Sequence, residues 1–232
     1  MPCKRLVFTL IILLVPAVAA AKDDLDDSWF EDDLQARITA VNGGDLVFLS
    51  ELPSAPVHHH HSRIILDPES LDNGWVTMIQ CHSHLDAVPR TQVLYHHTRV
   101  RELKILSSAN IHKAWVEGHS VQLTDVEQDA SICIQARSRT LEFNEDGSFS
   151  LRGGPFMRRF LDGYYPMRVS MDIEVPGEYL RFVDTRPRVQ EGFDVHETAA
   201  GVNLDARFEG KLFTEVRFEA DFGKQEKLHV AE

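Results

Sequence analysis

Histidine is the residue whose type and spacing could do chemistry in this chain. Eight of the 12 histidines fall between His58 and His97. Neutral imidazole is the commonest protein ligand for zinc and copper. His82 and His84 stand two apart in the strand-like run Gly74 to His84, and residues i and i+2 of a strand project from one face about 6.5–7 Å apart. His97, from a neighbouring strand, would complete a three-nitrogen set suited to copper or zinc. The tract His58-His59-His60-His61 follows the proline-bearing stretch Leu52 to Pro56 and reads as a flexible surface segment with weak affinity for divalent metals. No carboxylate or cysteine stands at a diagnostic spacing beside these histidines, so the chain demands no cofactor, and copper or zinc is the alternative.

Arginine is the second signal. Between Leu151 and Gln190 lie Arg152, Arg158, Arg159, Arg168, Arg181, Arg186 and Arg188 against five acids, and no lysine. The guanidinium fork matches carboxylate and phosphate. Within this stretch, residues 153–166 mix Arg158 and Arg159 with Tyr164, Tyr165, glycines and prolines, as a constrained loop at a binding surface does. The expected contact of Arg158, Arg159, Tyr164 and Tyr165 is an envelope protein or a small anionic ligand. The competing expectation is that the arginines pair with the chain's own acids, the arm Asp23 to Asp33 among them.

Catalytic signatures are missing. There is no GxSxG elbow, HExxH pair, glycine-rich phosphate loop or CxxC. Gly118-His119-Ser120 places a base beside a hydroxyl, but adjacent strand residues face opposite ways. A binding role is therefore expected over an enzymatic one, with an unrecognised hydrolase as the remaining alternative.

The elements that must position these residues read as β-strands. Met167, Val169, Met171, Ile173 and Val175 alternate, as do Val202, Leu204, Ala206 and Phe208, and then Leu212, Thr214, Val216 and Phe218 after the turn Glu209-Gly210-Lys211. Residues 37–41 and 45–49 flank Asn42-Gly43-Gly44 as a hairpin. Further strands are expected at 62–66, 74–84, 91–100, 102–106, 114–123, 131–137, 140–143 and 148–151. Phe156 to Leu161, with Phe156 and Phe160 four apart, suggests one or two helical turns. The fold class is mainly β: an antiparallel β-sandwich or barrel-like fold with short irregular or helical connections.

Residues 1–21 read as a secretory signal peptide: Lys4 and Arg5, an apolar run from Leu6 to Val15, and an alanine-rich end. Residues 22–36 form an acidic arm, and 37–232 a β-rich globular domain, or two packed β subdomains. Cleavage at Ala21 leaves 22 cationic against 36 acidic side chains, a charge of -14, and no transmembrane anchor. Such acidity excludes nucleic acid as a partner. Cys81 and Cys133 remain, and in an oxidising compartment they are expected to form one disulfide between apolar strands. The short signal and the lack of any N-x-[ST] acceptor point to a periplasmic or secreted protein of a bacterial envelope.

Overall fold

The computed structural model describes residues 43–175 and 179–220. The signal segment, the acidic arm and the first half of the 37–49 hairpin lie outside the described residues. The described chain is mainly β. Its elements run β1 (Val47–Phe48), β2 (His59–Ile65), α1 (Pro68–Asn73), β3 (Trp75–Leu85), β4 (Val88–Leu94), β5 (Val100–Glu117), β6 (Ser120–Arg139), β7 (Leu141–Phe143) and β8 (Ser148–Phe156). There follow β9 (Arg158–Phe160), β10 (Gly163–Tyr165), β11 (Met167–Glu174), β12 (Leu180–Arg186), β13 (Phe193–Thr198), β14 (Gly201–Glu209) and β15 (Leu212–Ala220).

The strands form one open sheet of nine strands, one of four and a two-stranded hairpin, β9–β10. The large sheet runs β1-β14-β11-β2-β3-β6-β4, with β13 also on β14 and β5 also on β6. The smaller runs β12-β15-β8-β7. Pairing is antiparallel throughout except between β2 and β11, which are parallel.

Alternation decides which side chains go inside. Along β11, Met167, Val169, Met171 and Ile173 are buried while Arg168, Ser170, Asp172 and Glu174 face outward. The neighbouring β14 buries Val202, Leu204, Ala206 and Phe208, and β15 of the second sheet buries Leu212, Thr214, Val216 and Phe218. The inner faces of both sheets meet in one continuous core, in which Phe193, Phe208 and Phe218 are fully enclosed. The turn between β14 and β15 lies against the first described residues: Lys211 N–H donates to Gly44 O at 3.0 Å and Lys211 Nζ to Gly43 O at 2.9 Å. Val47 and Phe48, expected in a hairpin with residues 37–41, pair with Glu209 and Phe208 of β14.

Three local expectations are corrected. The histidine tract is no loose segment: His59 to His61 open β2, an interior strand between β3 and β11. The run 114–123 is not one strand; Gly118, at φ 59°, turns the chain between the long strands β5 and β6. Phe156 to Leu161 is not helical, because Arg158–Phe160 pairs antiparallel with Gly163–Tyr165. A spacing of four is even, so Phe156 and Phe160 satisfy a strand face as well as a helical turn.

Candidate functional site

A cavity of about 620 Å³ opens between the two sheets. Its walls come from β2, β3 and β11 on one side and from β8 and β15 on the other, with the segment Leu94–Val100 at the edge. Ile64, Met78, Leu151, Phe156, Met167, Met171 and Val216 give it an apolar lining. Polar side chains are interspersed: His58, His60, His82 and Tyr95 line it, and so do Ser62, Gln80 and Thr214 among others.

Strand register explains why these imidazoles meet. His60 is the direct partner of His82 across β2 and β3, on the inner face of the sheet. Their rings stand edge to face with centroids 4.6 Å apart, and the ring of Phe156 lies 5.0 Å from His60. His58, two residues earlier and so on the same face, reaches His82 diagonally, with Nε2 3.0 Å from His82 Nδ1. His60 Nε2 contacts Ser62 Oγ at 2.7 Å. The intervening His59 and His61 point the other way and share Ser170 Oγ, at 2.7 and 2.9 Å. A hydroxyl has one proton to give, so at most one of these two rings accepts from Ser170 and at least one donates to it.

Burial sets the charge of the inner cluster. Desolvation lowers the pKa of His58 to about 4 and of His82 to about 3, and it also drives His60 well below its ordinary range. All three are neutral at pH 7. Two residues that line the cavity each bury a polar atom that has no hydrogen-bond partner among the described residues: His82 Nε2 and the Tyr95 hydroxyl. Burial pushes the Tyr95 phenol upward, so it too is uncharged.

The expected metal set of His82, His84 and His97 is not assembled. His84 sits at a β-bulge with φ 54°, which takes it out of the row of inward side chains. It is exposed, and its Nδ1 contacts Asp129 Oδ1 at 2.5 Å. His97 lies in the turn before β5 and stacks on His96, with centroids 5.1 Å apart. Among the described residues no group of three or more His, Cys, Asp or Glu side chains is arranged to hold a metal ion.

The arginine segment is brought together as the β9–β10 hairpin, where Arg158 opposes Tyr165 and Arg159 opposes Tyr164. Arg158 is committed internally. Its Nε and Nη2 grip Asp86 at 2.9 and 2.5 Å, and its guanidinium sits 5.6 and 5.4 Å from the Phe160 and Tyr165 rings. Arg152, Arg168 and Arg181 likewise pair with Glu142, Asp205 and Glu219. Their partners belong to the globular body; the acidic arm nominated for this role lies outside the described residues. Arg159 has no carboxylate partner among the described residues and lies over the Tyr164 ring at 5.4 Å. Tyr164 packs over Gly44, where an added Cβ would come within 2.4 Å of the ring.

Cys81 and Cys133 are bonded, as expected, and are direct partners across β3 and β6. The cystine is on the outer face rather than in the core, because the inward parity of β3 belongs to Val76, Met78 and His82.

A Ser–His–Asp contact set also exists on that outer face. His61 Nδ1 meets Ser170 Oγ, and its Nε2 lies 3.3 Å from Asp172 Oδ2. Hydrolysis needs free donors to hold an oxyanion. Here β11 is laddered on both edges, to β14 and to β2, which leaves its backbone N–H groups committed. The set ties strands together.

No family model matches the chain, and no curated protein matches it.

Proposed function

We propose that this protein is an exported binding module of a bacterial envelope that holds a small, largely apolar ligand between its two sheets. The observation that carries the reading is the 620 Å³ cavity, a size typical of small-molecule sites, with a mainly apolar surface interrupted by polar side chains. Export is supported by the pattern of residues 1–21 and by the Cys81–Cys133 cystine, a bond that persists in oxidising compartments.

The test is fluorescence of the neutral apolar dye N-phenyl-1-naphthylamine with the purified protein. Saturable enhancement is expected, and Met171→Trp, which fills the cavity from β11, is expected to weaken it at least tenfold with the circular dichroism spectrum unchanged. Absence of saturable binding, or equal binding by the folded Met171→Trp variant, would refute the reading.

A further inference from the structure

Exposed apolar side chains scattered singly are ordinary, but a contiguous group of them asks for an explanation. Met157, Phe160, Leu161 and Phe213 are 40%, 39%, 109% and 59% exposed. Chain and strand pairing bring the four together. Phe156 and Leu212 are direct partners across β8 and β15, and Met157 and Phe213 each follow one residue after that pair. Met157 leads straight into β9, the Phe160 ring lies 5.5 Å from that of Tyr165 on β10, and Leu161 begins the turn between β9 and β10. Met157 and Phe213 also line the cavity, so the patch adjoins its mouth.

Two stretches of chain outside the described residues compete to cover this patch, and their points of attachment decide between them. The N-terminal stretch enters at Gly43, beside the hairpin. Lys211 Nζ donates to Gly43 O at 2.9 Å and stands 5.6 Å from the Tyr164 ring, which packs over Gly44. The C-terminal stretch leaves after Ala220, at the other end of β15 from Leu212, about 27 Å along the strand.

Composition agrees with attachment. Trp29 and Phe30 stand side by side in the N-terminal stretch, whereas the chain after Ala220 has Phe222 alone. Aromatic side chains bury the largest apolar areas and dominate contacts of this kind. Phe30 precedes Gly43 by 13 residues, a reach of up to about 43 Å. Charge does not select the occupant. Arg159 and Lys211 stand near the entry, but so do Asp45, close to Gly43, and Asp162, which accepts from the Tyr165 hydroxyl. The aromatic pair is therefore the anchor, and the acids of this stretch flank it.

We infer that the N-terminal stretch turns back over the β9–β10 hairpin and seats Trp29 and Phe30 on the patch of Met157, Phe160, Leu161 and Phe213. The chain then covers the mouth of its own cavity, and an incoming ligand must displace the two aromatics. The covering role rests on the ligand reading above; the seat itself does not.

Trp29 reports the contact directly. A Trp75→Phe, Trp115→Phe variant of the exported protein leaves it as the sole tryptophan. Its emission is expected at shorter wavelength than in a synthetic peptide of residues 22–42, with acrylamide quenching about threefold slower. Adding Leu161→Asp and Phe213→Asp, both at exposed positions, should return both readings to those of the peptide with the circular dichroism spectrum unchanged. If the sole-tryptophan variant does not fold, chymotryptic cleavage after Trp29 or Phe30 provides the test, and the two patch substitutions should accelerate it. Peptide-like exposure of Trp29, or shielding that the patch substitutions leave unmoved, would overturn the inference. Shielding that appears only as protein concentration rises would overturn it in favour of a second copy on the patch, and shielding that appears only with phosphatidylcholine vesicles in favour of a lipid surface. Trp29→Ser with Phe30→Ser should speed association of the dye about threefold. Unchanged association beside a shielded Trp29 would overturn the covering role and keep the seat. Absence of any dye binding would fail the cavity reading, and the tryptophan result would stand apart from it.

Discussion

His60 and His82 oppose each other across β2 and β3 with ring centroids 4.6 Å apart, two neutral imidazoles side by side in the interior of a β-sandwich. Charging either ring would place a cation against its neighbour in a poorly solvated space. This arrangement has a direct consequence in acid.

Stability is expected to fall between pH 6.5 and 4.5. For His58, His60 and His82 the folded pKa lies below the unfolded value near 6.5. The folded state then binds fewer protons than the unfolded state. The stabilisation is complete above pH 6.5 and is lost as pH falls toward 4 and 3, where His58 and His82 protonate in the fold. His59, half-buried beside Arg168, shifts the same way. Asp86 opposes the shift at His58 by attracting its charged form, but burial outweighs it. With pKa values of about 4 and 3 against 6.5, a loss of about 2–3 kcal/mol by pH 4.5 is expected from each of His58 and His82, and His60 adds to it in the same direction. Urea unfolding at pH 7.5, 6.0, 5.0 and 4.5 measures it. A flat profile would contradict the burial of these rings, and His82→Phe should make the profile shallower.

Arg158 is expected to matter for stability and Arg159 far less. The Arg158 side chain is 19% exposed and engages Asp86 through two nitrogens. Its replacement by alanine leaves a partly buried carboxylate without its partner, at about 1–3 kcal/mol. Arg159→Ala removes an exposed ring contact and should change stability by less than about 0.5 kcal/mol. A double-mutant cycle of Arg158 and Asp86 by chemical denaturation checks both statements; zero coupling would show that the pair does not hold the hairpin in solution.

The cystine is expected to be reducible without prior unfolding, because Cys81 and Cys133 lie on the outer face and are only half-buried. Its bond closes a loop with a sequence separation of 52. In the chain-entropy view that closure is worth roughly 4 kcal/mol. The Cys81→Ser, Cys133→Ser double variant should lose about that much in urea unfolding, with the native dichroism spectrum retained in water. Reduction kinetics that match the global unfolding rate would show instead that the bond is shielded.

The sequence by itself determined the β class, the inward faces of β11, β14 and β15, and the partnership of Cys81 with Cys133. These follow from two-residue alternation and from the small number of cysteines, which need no knowledge of which strand lies beside which. It also marked His82, but gave it the wrong company. His84 looked equivalent by spacing, yet the bulge at φ 54° removes it from the face. His58 and His60 looked like a solvated tract, since four consecutive imidazoles carry no hydrophobic pattern. Only the tertiary structure decided that this tract is an interior strand. Its register with β3 sets His60 opposite His82, and the alternation of one strand sends His58 and His60 into the cavity while His59 and His61 go outward to Ser170. Arg158 is a similar case: nothing local couples it to Asp86, 72 residues away. Strand order and register are long-range choices, made by the total burial of two sheets against each other, and the site is their product.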